Sequence, residues 1–262
     1  MSEDFFEKGW CWFTFDEALA AWVEHALPHA RKAVVADEHA QWYRCGGTWF
    51  AGVNALENDE DGTLPAGPAL RGAVIDFISN ELNLLGFSWD KAQISVCYPG
   101  YPKPMEQESE AAFRYRVKRD AAHGDGLHAE GPQRRRHLRE QHGFLLGIPL
   151  VEVGEGAAPF VVWEGSHEVM REAFLTEYER HPPENWREID LTNIYHSARQ
   201  QVFEVCKRVE INAKPGEAYL VHRLALHGVA PWRDRAQAGR DGRMIVYFRP
   251  ELDTPARWLS DA

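Results

Sequence analysis

The chain has little of what marks secreted, membrane-spanning or nucleic-acid-binding proteins. Only four of its 262 residues are cysteine, Cys11, Cys45, Cys97 and Cys206, and none stands at CxxC spacing. That argues against a zinc ribbon or a dithiol redox motif, and the cysteines are read as buried thiols of a reduced, cytoplasmic compartment. No apolar run approaches the ~20 residues that a bilayer crossing requires. The stretch Met1-Ser2-Glu3-Asp4 is acidic, with no basic region ahead of an apolar run, so no secretory leader is expected. Positive charge is also scarce. Lys and Arg number 29 against 40 Asp and Glu, a net charge of −11 with His neutral. A general nucleic-acid binder normally carries a basic face, so that class is set aside. The one basic run, Arg134-Arg135-Arg136-His137-Leu138-Arg139, is short and reads as a solvated loop or helix face. No internal repeat or low-complexity segment is apparent.

What is present is a large apolar complement. Hydrophobic residues make up 44% and aromatics 12% of the chain, with ten tryptophans. This supports one packed core, and all-β barrels and sandwiches of this length are often a single domain. The chain is therefore read as one domain, residues 1–262. It comprises an N-terminal helical and strand layer (1–90), a β core (91–250) and a C-terminal tail (251–262).

Residues 1–30 read as helix, strand, helix. Asp16 is a plausible N-cap, and Leu19, Trp22, Val23, Ala26 and Leu27 recur at helical spacing. Residues 41–53 suggest a strand, 54–68 a loop, and Ala69 to Leu84 a second amphipathic helix. After Trp89 the texture changes to strands. These are expected over Gln93–Tyr98, Phe113–Lys118, His142–Leu150, Pro159–Trp163, Val202–Ile211, Glu217–His222 and Arg243–Arg249. A helix is expected over Glu168–Arg180, and residues 181–200 read as irregular. Short strands separated by turn signals suggest an antiparallel sandwich or barrel. A jelly roll would leave a mouth for a ligand.

The chemistry gathers in Ala121-Ala122-His123-Gly124-Asp125-Gly126, where an imidazole and a carboxylate stand two residues apart beside glycines. Glycine permits the backbone angles of a bend that turns both side chains to one point. About a hundred residues later, Leu226-His227-Gly228 supplies a second imidazole beside a glycine. Two histidines and one carboxylate on one face of a metal, with open positions opposite, form the facial triad of non-haem Fe(II) oxygenases. His123, Asp125 and His227 are the candidate ligands. His128 and Glu130, a second HxE pair, are the alternative to His123 and Asp125. His222 reads as a strand-end histidine near the site, and His167 as part of a turn.

In order, these residues resemble the phytanoyl-CoA dioxygenase family of Fe(II)- and 2-oxoglutarate-dependent oxygenases. The blocks are His123-Gly124-Asp125, Gly165-Ser166-His167, the pair Gly216–His222 and Leu226–Pro231, and Arg243 at the start of the last strand. The resemblance in order and spacing covers residues 90–250. The resemblance implies a mostly β fold with flanking helices, built on a double-stranded β-helix (jelly-roll, cupin-like) core. It implies Fe(II) on His123, Asp125 and His227, with 2-oxoglutarate and O₂ as cosubstrates, and Arg243 on the far carboxylate of 2-oxoglutarate. Because the loop from Trp232 to Gly242 is extended, Arg240 is the reserve. Tyr98 is placed at the cosubstrate site. Of the other loop aromatics, Tyr101, Trp186 and Tyr195 either shape the pocket or pack. Family halogenases replace the carboxylate ligand with a small residue; Asp125 is retained, which favours hydroxylation of a small organic molecule. The alternatives are a cupin-like isomerase or hydrolase that uses a metal-bound water without 2-oxoglutarate, and a non-catalytic jelly-roll binder. Candidate lids are Pro99–Pro104, 126–141 and 181–200, since binding residues concentrate on loops over a rigid scaffold.

Overall fold

In the computed structural model, which describes residues 2–82, 84 and 87–260, the chain opens with α1 (Ser2–Lys8), β1 (Trp10–Phe13) and α2 (Glu17–Val34). Next come β2 (Tyr43–Arg44), β3 (Trp49–Gly52), α3 (Ala73–Glu81), β4 (Gln93–Cys97) and α4 (Glu110–Lys118). The hairpin β5 (Leu127–Glu130) and β6 (Arg135–Leu138) precedes β7 (Phe144–Pro149), β8 (Phe160–Glu164), α5 (Ser166–Tyr178) and α6 (Thr192–Val205). Then follow β9 (Lys207–Ile211), β10 (Ala218–His222), β11 (His227–Val229), β12 (Arg243–Phe248) and α7 (Pro255–Ser260). Asn83, Leu85 and Gly86 lie outside the described residues, as do Met1 and the last two residues of the expected tail. So the end of the helix expected to run to Leu84 is seen only to Glu81.

Strand pairing produces the jelly roll. Seven strands in the order β1-β10-β7-β12-β4-β3-β2 form one antiparallel sheet, and β11-β8-β9 forms the smaller one. Alternation along β12 shows how the layers meet. Ile245 and Tyr247 pack with Phe160 and Val162 of the small sheet and with Leu145 and Tyr219 of the large one. Met244, Val246 and Phe248 point the other way, into a core shared with Trp22, Val23 and Ala26 of α2 and Phe77 and Ile78 of α3. Both faces of β12 are therefore covered, which is why Arg243–Phe248 reads as an almost unbroken apolar run. Besides this packing, one carboxylate ties the starts of α2 and α3 together. Asp16 Oδ1 accepts from the amides of Ala18 (2.9 Å) and Leu19 (3.1 Å), while Oδ2 accepts from Ala73 N (3.0 Å) at the start of α3. One side chain thus caps two helices. Among the described residues, no helix is long and apolar enough to cross a membrane.

Three expectations are corrected. Phe113–Lys118 is helical, not a strand. Ser109 Oγ caps the helix at Ala112 N, Glu110 pairs with Arg114 one turn on, and none of α4's residues is buried. A strand would have needed one alternating face to bury. Residues 181–200 are not irregular, because α6 begins at Thr192 and buries Tyr195, Ala198 and Val202 at helical spacing. Val202 accordingly lies in the last turn of this helix, which ends at Val205, and the strand expected from Val202 starts only at Lys207. The expected tail carries α7, whose Trp258 is buried and whose carbonyl accepts from Arg223 Nε at 2.8 Å.

Candidate metal centre

His123 and His227 lie far apart in sequence but share a backbone bridge. His123 N donates to His227 O (2.8 Å) and His227 N to His123 O (3.0 Å). The loop that brings His123 there is strained. Asp120 and Ala121 both take positive φ, 51° and 53°, a region costly for non-glycine residues. Asp120 is anchored from two sides, its carboxylate by Arg208 (2.6 and 3.0 Å) and its carbonyl by Val229 N (2.8 Å). Gly228 allows that closeness, since a Cβ there would sit 2.1 Å from Asp120 O. Beneath the loop, the hydroxyl of buried Tyr195 accepts from Gly124 N at 3.3 Å.

The imidazoles are oriented by their own backbone. Nδ1 of His123 lies 3.0 Å from Ala121 O, and Nδ1 of His227 lies 2.9 Å from Ala225 O. A carbonyl only accepts, so Nδ1 carries the proton and Nε2 is left as a bare lone pair. Both Nε2 atoms face Asp125 Oδ1, at 3.4 Å from His123 and 3.6 Å from His227. One donor atom from each of the three residues falls within 4.8 Å of the others. Asp125 and His227 are nearly buried, with 9% and 6% of their side-chain surface exposed, whereas His123 is 49% exposed. Burial alone would raise the Asp125 pKa, but the positive charge of Arg249 outweighs it and holds the carboxyl well below the usual range. An ionised carboxylate and two imidazole lone pairs converging on one point suit a divalent transition metal.

The three donors open onto a cavity of about 230 Å³, lined also by Trp49, Leu145, Phe160, Val229 and Tyr247. Phe160 stacks on His227, with ring centroids 5.5 Å apart, and lies 4.8 Å from the Tyr219 ring. Tyr219 donates to the Tyr247 hydroxyl at 2.9 Å. The two tyrosines flank Gly147 in adjacent strands, and a Cβ on Gly147 would meet the Tyr219 ring at 2.3 Å. Arg243 lies beside this pair, 3% exposed. Its Nη2 donates to Tyr247 Oη at 3.3 Å, and its buried Nη1 has no hydrogen-bond partner among the described residues. An unpaired buried guanidinium N–H is costly, and an anion would satisfy it.

Other candidates fall elsewhere. His128 pairs with Glu140 (3.1 Å), and Glu130 with Arg139 (2.5 and 2.8 Å), so this second HxE is occupied on its own hairpin. His222 packs 4.9 Å from His167 beneath α5, with Nδ1 accepting from Leu224 N at 3.0 Å. Tyr98 and the reserve Arg240 do not join the three donors; they line a separate cavity with Arg31 and Met244. The reason is the strand period. Cys97 is the cross-strand partner of Arg243, so Tyr98, one residue on, projects to the opposite face. None of the three expected lid segments contributes to the wall of the metal-side cavity. Trp42, Arg44 and Val53 line it instead. Arg249 was not singled out from the sequence. It lines the same cavity, with Nη1 3.3 Å from Asp125 Oδ2. Burial raises the thiols of Cys11 and Cys97 to about 12, and both remain free thiols.

Fold and site together define a double-stranded β-helix with a two-histidine, one-carboxylate constellation at one end. The fold is shared with a non-haem alpha-ketoglutarate-dependent carbocyclase, SnoK from nogalamycin biosynthesis. The TM-score is 0.50 at 16% identity, over 95% of this chain and 82% of that one. The epimerase SnoN from the same biosynthesis matches at 0.47 and 13%, over 95% and 81%. EctD from S. alaskensis, solved with 2-oxoglutarate and 5-hydroxyectoine, matches at 0.46 and 13%, over 96% and 74%. The match to SnoK, at 16% identity, concerns the fold alone and leaves the reaction open. No family model matches the chain, and no curated protein matches its sequence.

Proposed function

We propose that this protein is a non-haem Fe(II)- and 2-oxoglutarate-dependent dioxygenase that hydroxylates a small organic molecule, as its resemblance to the phytanoyl-CoA dioxygenase family suggests. One observation carries the reading. The three convergent donors, His123, Asp125 and His227, and the buried, half-unpaired guanidinium of Arg243 are joined by one aromatic wall, Phe160, Tyr219 and Tyr247. A metal ion explains the first group and a dicarboxylate the second. With Fe(II) and 2-oxoglutarate bound, the site would supply the coupled oxidation R–H + 2-oxoglutarate + O₂ → R–OH + succinate + CO₂.

The chain's own residues have separate tasks. Ala121 O and Ala225 O fix the imidazole tautomers, so that two neutral nitrogens face the metal position. Arg243 would receive the far carboxylate of 2-oxoglutarate in the bidentate manner a planar guanidinium allows. Tyr247, through its hydroxyl, holds one arm of that fork in place. The apolar lining from Trp49, Leu145 and Phe160 keeps water from crowding the site and offers contact to an organic substrate. The test is succinate formation from 2-oxoglutarate under O₂ by iron-loaded protein, slow even without substrate. Protein that binds Fe(II) but neither binds nor consumes 2-oxoglutarate would favour a cupin-like metalloenzyme instead.

A further inference from the structure

Arg249 has no task in that account, yet it lies against a ligand. Its Nη1 is 3.3 Å from Asp125 Oδ2, while Asp125 Oδ1 faces both imidazoles at 3.4 and 3.6 Å. The two carboxylate oxygens are thus divided between two environments. The backbone of Arg249 is pinned as well. Its N–H donates to Asp90 Oδ1 at 2.8 Å, and its carbonyl lies 3.0 Å from His142 Nδ1. The side chain therefore starts from a fixed point. By the two-residue period, Arg243, Ile245, Tyr247 and Arg249 share one face, and six residues of strand separate the two arginines by roughly 20 Å. One arginine cannot do the other's work.

We infer that Arg249 is a positioning residue, which holds Oδ2 so that Asp125 presents Oδ1 alone to the metal. The inference rests on the metal centre proposed above. With Oδ2 taken, Asp125 occupies one coordination position, and the position that a chelating carboxylate would close stays open. Without Arg249, a nearly buried carboxylate is free to turn, and Oδ1 is no longer held toward the two Nε2 atoms.

The contact is a single N–H to a single oxygen, which an ammonium also supplies. That separates the inference from a merely structural role. The experiment is Co(II) affinity, by chelator competition without 2-oxoglutarate, in the wild type, Arg249→Gln, Arg249→Lys and Arg240→Gln, with folding checked by circular dichroism. Loss of a partner that orients a metal ligand typically weakens binding 10–100-fold. Arg249→Gln should show that loss, Arg249→Lys should stay within about 5-fold of the wild type by the same scale, and Arg240→Gln, on the other cavity, should bind normally. A folded Arg249→Gln that binds Co(II) as tightly as the wild type overturns the inference. If Arg249→Gln does not fold, a folded Arg249→Lys that loses tenfold or more in affinity overturns it. Wild-type protein that binds no Co(II) overturns the metal centre itself, a different failure.

Discussion

Replacing Arg243 by lysine keeps the charge and removes the fork. In the protein, one N–H of that fork is already used: Nη2 donates to the Tyr247 hydroxyl at 3.3 Å, and the buried Nη1 has no hydrogen-bond partner among the described residues. A carboxylate arriving from the metal side would take Nη1 and the remaining N–H of Nη2, beside the hydroxyls that Tyr219 and Tyr247 hold together. Lysine is a point charge that cannot reproduce this bidentate geometry. A hydrogen bond to a charged group contributes about 1.5–3 kcal/mol, so Arg243→Lys should weaken 2-oxoglutarate by roughly one to two powers of ten. Co(II) affinity should be unchanged, because no metal donor touches Arg243. The assay is anaerobic calorimetry of 2-oxoglutarate into Co(II)-loaded protein. An Arg243→Lys variant that binds 2-oxoglutarate within about twofold of the wild type would refute the reasoning, since half the proposed contact would then be worth far less than a charged hydrogen bond. The matching Arg240→Lys change should do nothing, because Arg240 lines the other cavity.

Three further outcomes follow from the same geometry. His123→Ala and His227→Ala should each abolish Fe(II) binding, measured as bound iron per chain, while leaving the circular dichroism unchanged; unaltered stoichiometry in either would remove that residue from the ligand set. Gly228→Ala would place a Cβ 2.1 Å from Asp120 O, and overpacking of that kind typically costs about 1–3 kcal/mol, so the melting temperature should fall; an unchanged melting temperature would show that the His123 loop gives way freely. Burial, helped by Arg223, His167 and Arg171, holds the His222 pKa well below the ordinary histidine value, and burial also lowers that of His167. The unfolded chain takes up those protons near pH 6.5 and the folded chain does not, so stability is intact above about pH 6.5 and falls below it, by about 1.4 kcal/mol per pH unit for a fully buried histidine. Urea midpoints at pH 7.5 and 5.5 should show the loss, and His222→Gln should reduce it.

The three donors that the structure brings together could be read in the sequence because each piece is local. His123-Gly124-Asp125 places two donors in three residues, and His227-Gly228 repeats the imidazole beside a glycine. The outer strands, the two N-terminal helices and the Asp16 cap were legible for the same reason: their periodicity and capping are encoded within a few residues. What could not be read is tertiary. Arg249 stands six residues beyond Arg243 on a strand whose period marks only a shared face, and its contact with Asp125 spans 124 positions. The support of Gly124 by Tyr195 requires α6, and that helix was hidden in a polar stretch whose buried residues show only against a neighbour. Phe113–Lys118 misled because Phe113, Tyr115 and Val117 alternate like a strand, although α4 has no buried face. Tyr98 misled through parity, since one residue's shift along a strand moves a side chain to the other face.

The most direct measurement of the central claim is the visible absorption of the protein with Fe(II), recorded anaerobically before and after 2-oxoglutarate is added. The account predicts a new charge-transfer band that saturates with one 2-oxoglutarate per iron and is lost in His227→Ala. Folded protein that binds Fe(II) but develops no band at saturating 2-oxoglutarate would contradict it.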